Sequence, residues 1–305
     1  MPNGDRSKHA RWFLIALTFA LAVGSLGYRL LVFHRLEQTA ALFVGLPAVL
    51  AIILASTPRA RSATGVILKG ITILMLLSGI LLGEGFICIL MASPLFYFVG
   101  LLIGLVVDGV ERRRQRRLSS KLYGVLLLPL LPMALEGTRP ELSFARAQHV
   151  VREQTVAASA ERVVRALSRN PEFRGPLPFY LSLGFPRPVN ATGTGLEIGD
   201  RHVIHFAGGE GKPGDLILEV MQRGPGLVVF QPVSDTSHIA HWLTWRRAEI
   251  CWNESTPGQL HIWMEIEYSR SLDPAWYFGP WERYAVGLVC DYWIRIVAAP
   301  EQRKP

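Results

Sequence analysis

The sequence predicts a multi-span α-helical membrane region followed by an α+β domain, in which a curved antiparallel sheet is closed by a long C-terminal helix. Three observations carry this prediction. Half of the 305 residues are hydrophobic and the mean hydropathy is +0.27, yet long uncharged runs occur only before Thr138. The net charge of +8 is confined to the same half: residues 1–138 hold 14 Lys/Arg against 6 Asp/Glu, and residues 139–305 hold 18 of each. From His149 onward, short segments of alternating polarity are punctuated by Gly and Pro, and the chain then runs into Asp273–Ala298, an aromatic-rich stretch with helical spacing.

In the first half, 12–33 reads as the first span, long enough to cross a bilayer with Arg29 snorkelling near its end. A cleaved signal peptide is the rival reading, but the apolar run exceeds the roughly 7–15 residues of a signal core. A second span is expected over 40–57, with Pro47 as a tolerated kink. Gly65 to Val107 is too long for one span and divides at Gly83-Glu84-Gly85 into 65–83 and 85–107. Basic residues follow at Arg59, Arg61 and Arg112–Arg117. Their place beside apolar runs reads as a topological anchor facing the cytoplasm, not as a nucleic-acid patch, so no nucleic-acid partner is expected. The fifth apolar run, 119–135, carries Pro129 and Pro132 and reaches only the lower limit for a span. It has no amphipathic face with which to lie flat. Crossing puts the C-terminal domain on the outer side, and lying in the interface leaves it in the cytoplasm; crossing is the preferred reading.

The second half begins with a polar linker, 138–147. A domain over 148–298 follows, with a polar tail at 299–305. Its order is a strand over His149–Ala157, a helix over Ala160–Ser168 with Ser159 as N-cap, and a broken helical piece over Pro171–Phe185. Strands are then expected at Arg187–Thr194, Asp200–Ala207, Asp215–Arg223, Leu227–Val233, His241–Asn253 and Gln259–Ser269. Asp273-Pro274 opens the last helix, since proline in the first turn gives up only an N–H without a partner. Glu282, Arg283, Asp291 and Arg295 interrupt that helix too often for it to span a membrane.

This order resembles the helix-grip fold of the SRPBCC superfamily, which includes START lipid-transfer domains and the polyketide cyclase/dehydrase group. The segment Gln154-Thr-Val-Ala-Ala-Ser-Ala-Glu-Arg-Val-Val-Arg-Ala-Leu167 is similar to the family's opening strand, small-residue turn and helix with an "A-E-x-V" phrase, although Val164 stands where an aromatic is usual. Leu272-Asp-Pro-Ala-Trp-Tyr277, together with the N-terminal spans, resembles a membrane-linked bacterial branch. The resemblance implies an integral protein of the bacterial inner membrane; the side of the domain follows from 119–135, periplasmic if that run crosses and cytoplasmic if it does not. It also implies a cavity between sheet and helix.

Pairing the last two strands with Trp252 opposite Leu260 assigns the walls of that cavity. Ile250, Ile262 and Met264 form its floor, and Tyr284, Leu288 and Tyr292 on the helix form its lid. Arg246 falls on the same inward face, where a guanidinium could capture an anionic head group or carboxylate; pairing with Asp291 or Glu282 is its structural alternative. The outer face is expected to hold an Arg247–Glu265 pair. His202 and His205 point to opposite faces of one strand and cannot share an ion. His238 and His241 stand at a strand entry, so no metal site is expected. Cys251 and Cys290 fall on different layers, which argues against a bridge. No phosphate loop, nucleophile elbow or carboxylate pair stands out, and no cofactor or catalytic residue is assigned. The expected function is binding of a hydrophobic small molecule or lipid beside the membrane, with membrane lipids as partners. A cyclase/dehydrase-type enzyme using the same cavity, and a sensor or assembly module with a filled one, are the alternatives.

Overall fold

The structure is a computed structural model and describes residues 46–57, 60–81, 86–115, 135–169, 173, 175–207, 213–256 and 258–299. The chain divides into two compact units, Met1–Ala134 and Leu135–Pro305.

In the first unit the described helices are α1 (Leu46–Ser56), α2 (Ala63–Leu81) and α3 (Phe86–Gln115). The expected spans 12–33 and 119–135 lie outside the described residues, as do 40–45 of the second span. Among the described residues, one stretch, Cys88–Arg112 of α3, is long and apolar enough to cross a membrane; Ala63–Ser78 of α2 is apolar but shorter. The break expected at Gly83-Glu84-Gly85 lies outside the described residues. Asp108 of α3 caps α2, accepting from the Ala63 N–H at 2.6 Å, the Thr64 N–H at 3.1 Å and the Thr64 hydroxyl at 2.6 Å. These donors are among the first N–H groups of a helix, which have no partner within it. Gly104 permits this approach, because a Cβ there would stand 2.6 Å from the Thr64 backbone.

The second unit is one sheet of seven antiparallel strands in the order β1-β7-β6-β5-β4-β3-β2. The strands are β1 (Ala147–Val156), β2 (Arg187–Thr192), β3 (Arg201–Ala207), β4 (Gly214–Gly224), β5 (Leu227–Asp235), β6 (Leu243–Thr256) and β7 (Gln259–Arg270). Between β1 and β2 the chain forms α4 (Ala160–Ser168) and α5 (Phe179–Ser182), and it ends in α6 (Ala275–Ala298). Helix α4 starts at Ser159, whose hydroxyl accepts from the Arg162 N–H at 3.3 Å. Helix α6 packs on β1, β7 and α4, so its apolar face meets the concave side of the sheet. This arrangement, a curved antiparallel sheet gripping a C-terminal helix, fits a helix-grip domain.

Strand β7 alternates strictly, with Leu260, Ile262, Met264, Ile266 and Tyr268 all buried and the residues between them partly exposed, as the period-two geometry of a strand requires. Its pairing with β6 differs from the expected one by two residues: Trp252 lies opposite Ile262 and Ile250 opposite Met264. The turn is tighter than expected, with Thr256 opposite Gln259 and Gly258 at φ +83°. A two-residue slip leaves every side chain on its original face. An irregularity between Trp245 and Arg247 does not. The extra residue of this bulge reverses the alternation, so Trp245 turns inward and Arg246 outward. The inward placement of Arg246 is therefore corrected. It is exposed and donates to the Ser269 hydroxyl at 3.4 Å, while Asp291 pairs with Arg152 and Gln154 instead. The outer pair is corrected too: Arg247 meets Glu249 and Glu267, not Glu265.

Residues 138–147, expected as a linker, are held against the base of α6. Arg270 is the centre of this clamp, with 1% of its side chain exposed. Its five N–H groups reach the carbonyls of Ala145, Leu272 and Phe144 and the carboxylates of Asp273 and Glu136. Glu136 also accepts from the Ala275 N–H at 3.0 Å, which caps α6 from 139 residues away. Arg146 completes the group with a 2.6 Å pair to Asp273.

Candidate functional site

Between the concave sheet and α6 lies a cavity of about 150 Å³. On α6, Ala285, Val286, Val289, Tyr292 and Trp293 face it, which is the i, i+1, i+4, i+7, i+8 pattern of one helical face. The sheet contributes Trp245, Ala248 and Ile250 from β6, Met264 and Ile266 from β7, and Phe230 from β5. Leu177, Leu181 and Phe185, around α5, close it from above. This short segment is pinned by aromatic contacts: Tyr180 meets Phe185 at 5.3 Å and Tyr284 at 5.2 Å between ring centres, and Phe185 meets Trp242 edge-on at 5.1 Å. Burial among these rings pushes the Tyr180 phenol up to about 12.

Of the residues singled out from the sequence, Ile250, Met264 and Tyr292 line the cavity. Ile262 is fully buried but belongs to the packed core beyond the wall, opposite Trp252. Leu288 is half-buried and Tyr284 is 50% exposed, and neither is on the wall. They lie to the side of the helical face centred on Val289. Tyr284 instead braces α5 through Tyr180. The reasoning from sequence chose the most aromatic stripe of the helix, whereas the sheet meets the stripe with the smaller residues Ala285 and Val286, which leave the space.

The polar lining is sparse. His202 is buried, its Nε2–H donating to the Gly195 carbonyl at 2.9 Å, with its ring edge-on to Phe230. His205, on the other face of the strand, pairs with Asp215 at 2.8 Å. His238 and His241 belong to a 3-10 turn, with ring centres 4.8 Å apart. Among the described residues, no three His, Cys, Asp or Glu side chains converge as metal ligands would. Cys251 and Cys290 are free thiols, and burial pushes both up to about 12, far from a reactive thiolate.

Two further groups are buried in the domain: Glu282, read from the sequence only as a pairing partner for Arg246, and Tyr268, which was given no role there. Glu282 of α6 is 4% exposed and Tyr268 of β7 is 0% exposed. Neither Glu282 carboxylate oxygen and not the Tyr268 hydroxyl has a hydrogen-bond partner; the Leu272 N–H faces the carboxylate without a bond of normal geometry. Burial raises Glu282 to about 7, opposed by the positive charge of Arg270. Burial also raises the Tyr268 phenol, and Glu282 adds to that rise. Glu282 stands three residues before Ala285 and four before Val286, but neither it nor Tyr268 is among the residues lining the cavity.

No family model and no curated protein matches the sequence. Among solved structures, a START superfamily protein from Mycobacterium smegmatis is similar at 13% identity and TM-score 0.36, over 49% of this chain and 94% of its own. Ginseng major latex-like protein 151 from Panax ginseng follows at 9% and 0.33, over 51% of this chain and 100% of its own. A Thalictrum flavum norcoclaurine synthase mutant in complex with a transition-state analogue stands at 15% and 0.31, over 49% and 96%. Likenesses this distant carry no argument about ligand or reaction. The helix-grip description rests on the strand order and on α6.

Proposed function

We propose that this protein is a membrane-anchored binding domain for a small hydrophobic molecule. The observation that carries the reading is the apolar cavity enclosed by the sheet, α6 and the α5 segment. An interior normally packs to crystal-like density, and a space left open among apolar side chains is the usual form of a small-molecule site. Its size limits the occupant. A cavity of this volume, about 150 Å³, takes roughly one benzene ring, so a whole lipid chain enters only if the α5 segment moves outward.

Membrane anchoring rests on the first unit. Leu74, Phe96 and Leu105 point their apolar side chains outward from α2 and α3, while the polar contacts of Asp108 and Thr64 are turned between the helices. That is the distribution a lipid environment favours. With the apolar runs at 12–33, 40–57 and 119–135 it makes a multi-span protein of the inner membrane, with Arg112–Arg117 in the cytoplasm and the binding domain outside. An open cavity speaks against a filled structural module. Its mostly apolar wall supports binding over a cyclase-type reaction, which needs polar groups converging on the substrate.

Native mass spectrometry of the detergent-solubilised full chain tests the reading. The wild type is expected to carry a small apolar molecule, and Ala285→Trp, which fills the cavity, to lose it. If the wild type carries none and an apolar photoreactive probe labels no cavity-wall peptide, the binding reading fails.

A further inference from the structure

We infer that His202 is the hydrogen-bond acceptor of this cavity, and that the molecule it receives is a small apolar body carrying one hydroxyl, of which a phenol is the simplest case. The inference rests on the binding reading above and names the class of ligand.

His202, Ile204 and Phe206 alternate along β3, and all three line the cavity. His202 is 6% exposed, so nearly all of its surface is turned to the interior. Its Nε2 lies 2.9 Å from the Gly195 carbonyl. A carbonyl only accepts, so Nε2 carries the proton, and in a neutral imidazole Nδ1 is then a bare acceptor. The backbone presets this tautomer. Gly193 and Gly195 hold φ of +113° and +91°, a region open to glycine. Their turn lies so close to β3 that a Cβ on Gly193 would stand 2.1 Å from the Arg201 carbonyl oxygen. The Gly195 N–H donates to the Ser168 carbonyl at 3.0 Å, which ties the turn to the end of α4. Phe230, also on the wall, meets the imidazole edge-on at 5.7 Å between ring centres. Among the described residues Nδ1 has no hydrogen-bond partner, yet it is not one of the buried polar atoms closed off from any space. On a residue this buried, the space that Nδ1 meets is the cavity.

Three other polar side chains reach the wall, and none competes for this role. The Trp245 indole only donates, and it faces the Asp235 carboxyl. Arg247 also only donates, and it pairs with Glu249 and Glu267, so this cation brings its own counter-charges. Tyr292 carries a hydroxyl under the charges of Arg295 and Arg187. A phenol donates or accepts, so Tyr292 sets no preference. The bare nitrogen of His202 accepts only. An acceptor left unpaired in an apolar wall is costly, and a hydroxyl on the ligand removes that cost. A methyl in the same place leaves the nitrogen unpaired. A hydroxyl in a cavity without the nitrogen would itself be unpaired. The volume of about 150 Å³ takes roughly one benzene ring, so the hydroxyl stands on a body of that size.

The test uses the full chain in lipid nanodiscs and fluorine NMR, with para-fluorophenol and para-fluorotoluene as probes. They exchange a hydroxyl for a methyl of similar size. Binding is the saturable signal that exceeds that of Ala285→Trp nanodiscs, which subtracts partition into the lipid. At about pH 8 an ordinary imidazole is neutral and a phenol keeps its proton. The wild type is expected to bind para-fluorophenol about threefold tighter than para-fluorotoluene, the hydrogen bond outweighing the lost hydration of the hydroxyl. His202→Phe keeps a ring against Phe230 and is expected to reverse the order, favouring para-fluorotoluene about tenfold, because its cavity buries the hydroxyl without a partner. With isotope-labelled histidine, the ring-nitrogen signal that is missing from His202→Phe is expected to shift on adding para-fluorophenol and to stay in place with para-fluorotoluene. Equal binding of the two probes by the wild type, or preference for para-fluorotoluene, overturns the acceptor while the cavity reading stands. That ratio decides even if the variant does not fold. An unchanged ratio in folded His202→Phe overturns the acceptor as well. If neither probe binds above the Ala285→Trp level, the cavity reading fails and this inference with it.

Discussion

At the scale of single residues, Glu282 sets a pH dependence whose sign follows from its shift. Its ordinary value is 4.5 and burial raises it to about 7 in the folded chain. Below about pH 4.5 it is protonated in both states and costs nothing. As pH rises toward 7 the unfolded chain releases its proton while the folded one holds it, and stability is lost across that window. Tyr268 on β7, Arg270 and Asp273 at the base of the helix, Arg146 on the preceding segment and Arg283 on α6 are the charged and titratable groups around it. Their screening keeps the loss on the order of 2 kcal/mol. Denaturant unfolding of the full chain should therefore give lower stability at pH 8 than at pH 5, and Glu282→Gln should flatten the difference by gaining stability at pH 8. A variant with the same pH slope as the wild type would assign the dependence to another group.

At the scale of elements, α6 has a cavity face and a packing face, and they respond differently to truncation. Ile262 of β7 is fully buried in the core beneath the helix. Ile262→Ala should cost about 2–5 kcal/mol, the usual range for a well-packed aliphatic side chain, measured by thermal or denaturant melting. Leu288 is half-buried and off the cavity face, so Leu288→Ala should cost less than that range and leave probe labelling unchanged. Reversed magnitudes would mean that α6 is rotated from the face described. The same helix shows why its start is rigid. Pro274 offers no side-chain cap, and the cap comes from Glu136 through the Arg270 clamp, which fixes the end of the helix that carries Glu282.

At the scale of the whole molecule, the open question is topology. On the proposed topology Arg112–Arg117 faces the cytoplasm, and a crossing at 119–135 would carry the C-terminal domain to the other side. Reporters fused after Ser120 and after Pro305 are expected to report opposite sides of the membrane. Signals from the same side would remove the crossing and return the domain to the cytoplasm. The outcome matters for ligand supply, because a tethered cavity samples apolar molecules concentrated at the leaflet it faces.

The sequence by itself determined the order of elements in the second half, because strand alternation, Gly/Pro punctuation and the Ser159 cap are local signals that burial then follows. It also determined which face of β7 is buried, since even a two-residue error in pairing with β6 conserves the parity of a strand. Arg246 was misplaced for the opposite reason: one bulge residue reverses parity, and a bulge is settled by how β6 fits β7 and β5, not by its own residues. The cavity wall on α6 was misread because aromatic content marks where a helix is apolar and not where its neighbours stop short. Ala285 and Val286 leave the space, and only the packed sheet opposite them reveals it. The unpartnered state of Glu282 and Tyr268 was equally invisible, since a missing hydrogen bond is a property of everything that surrounds a group.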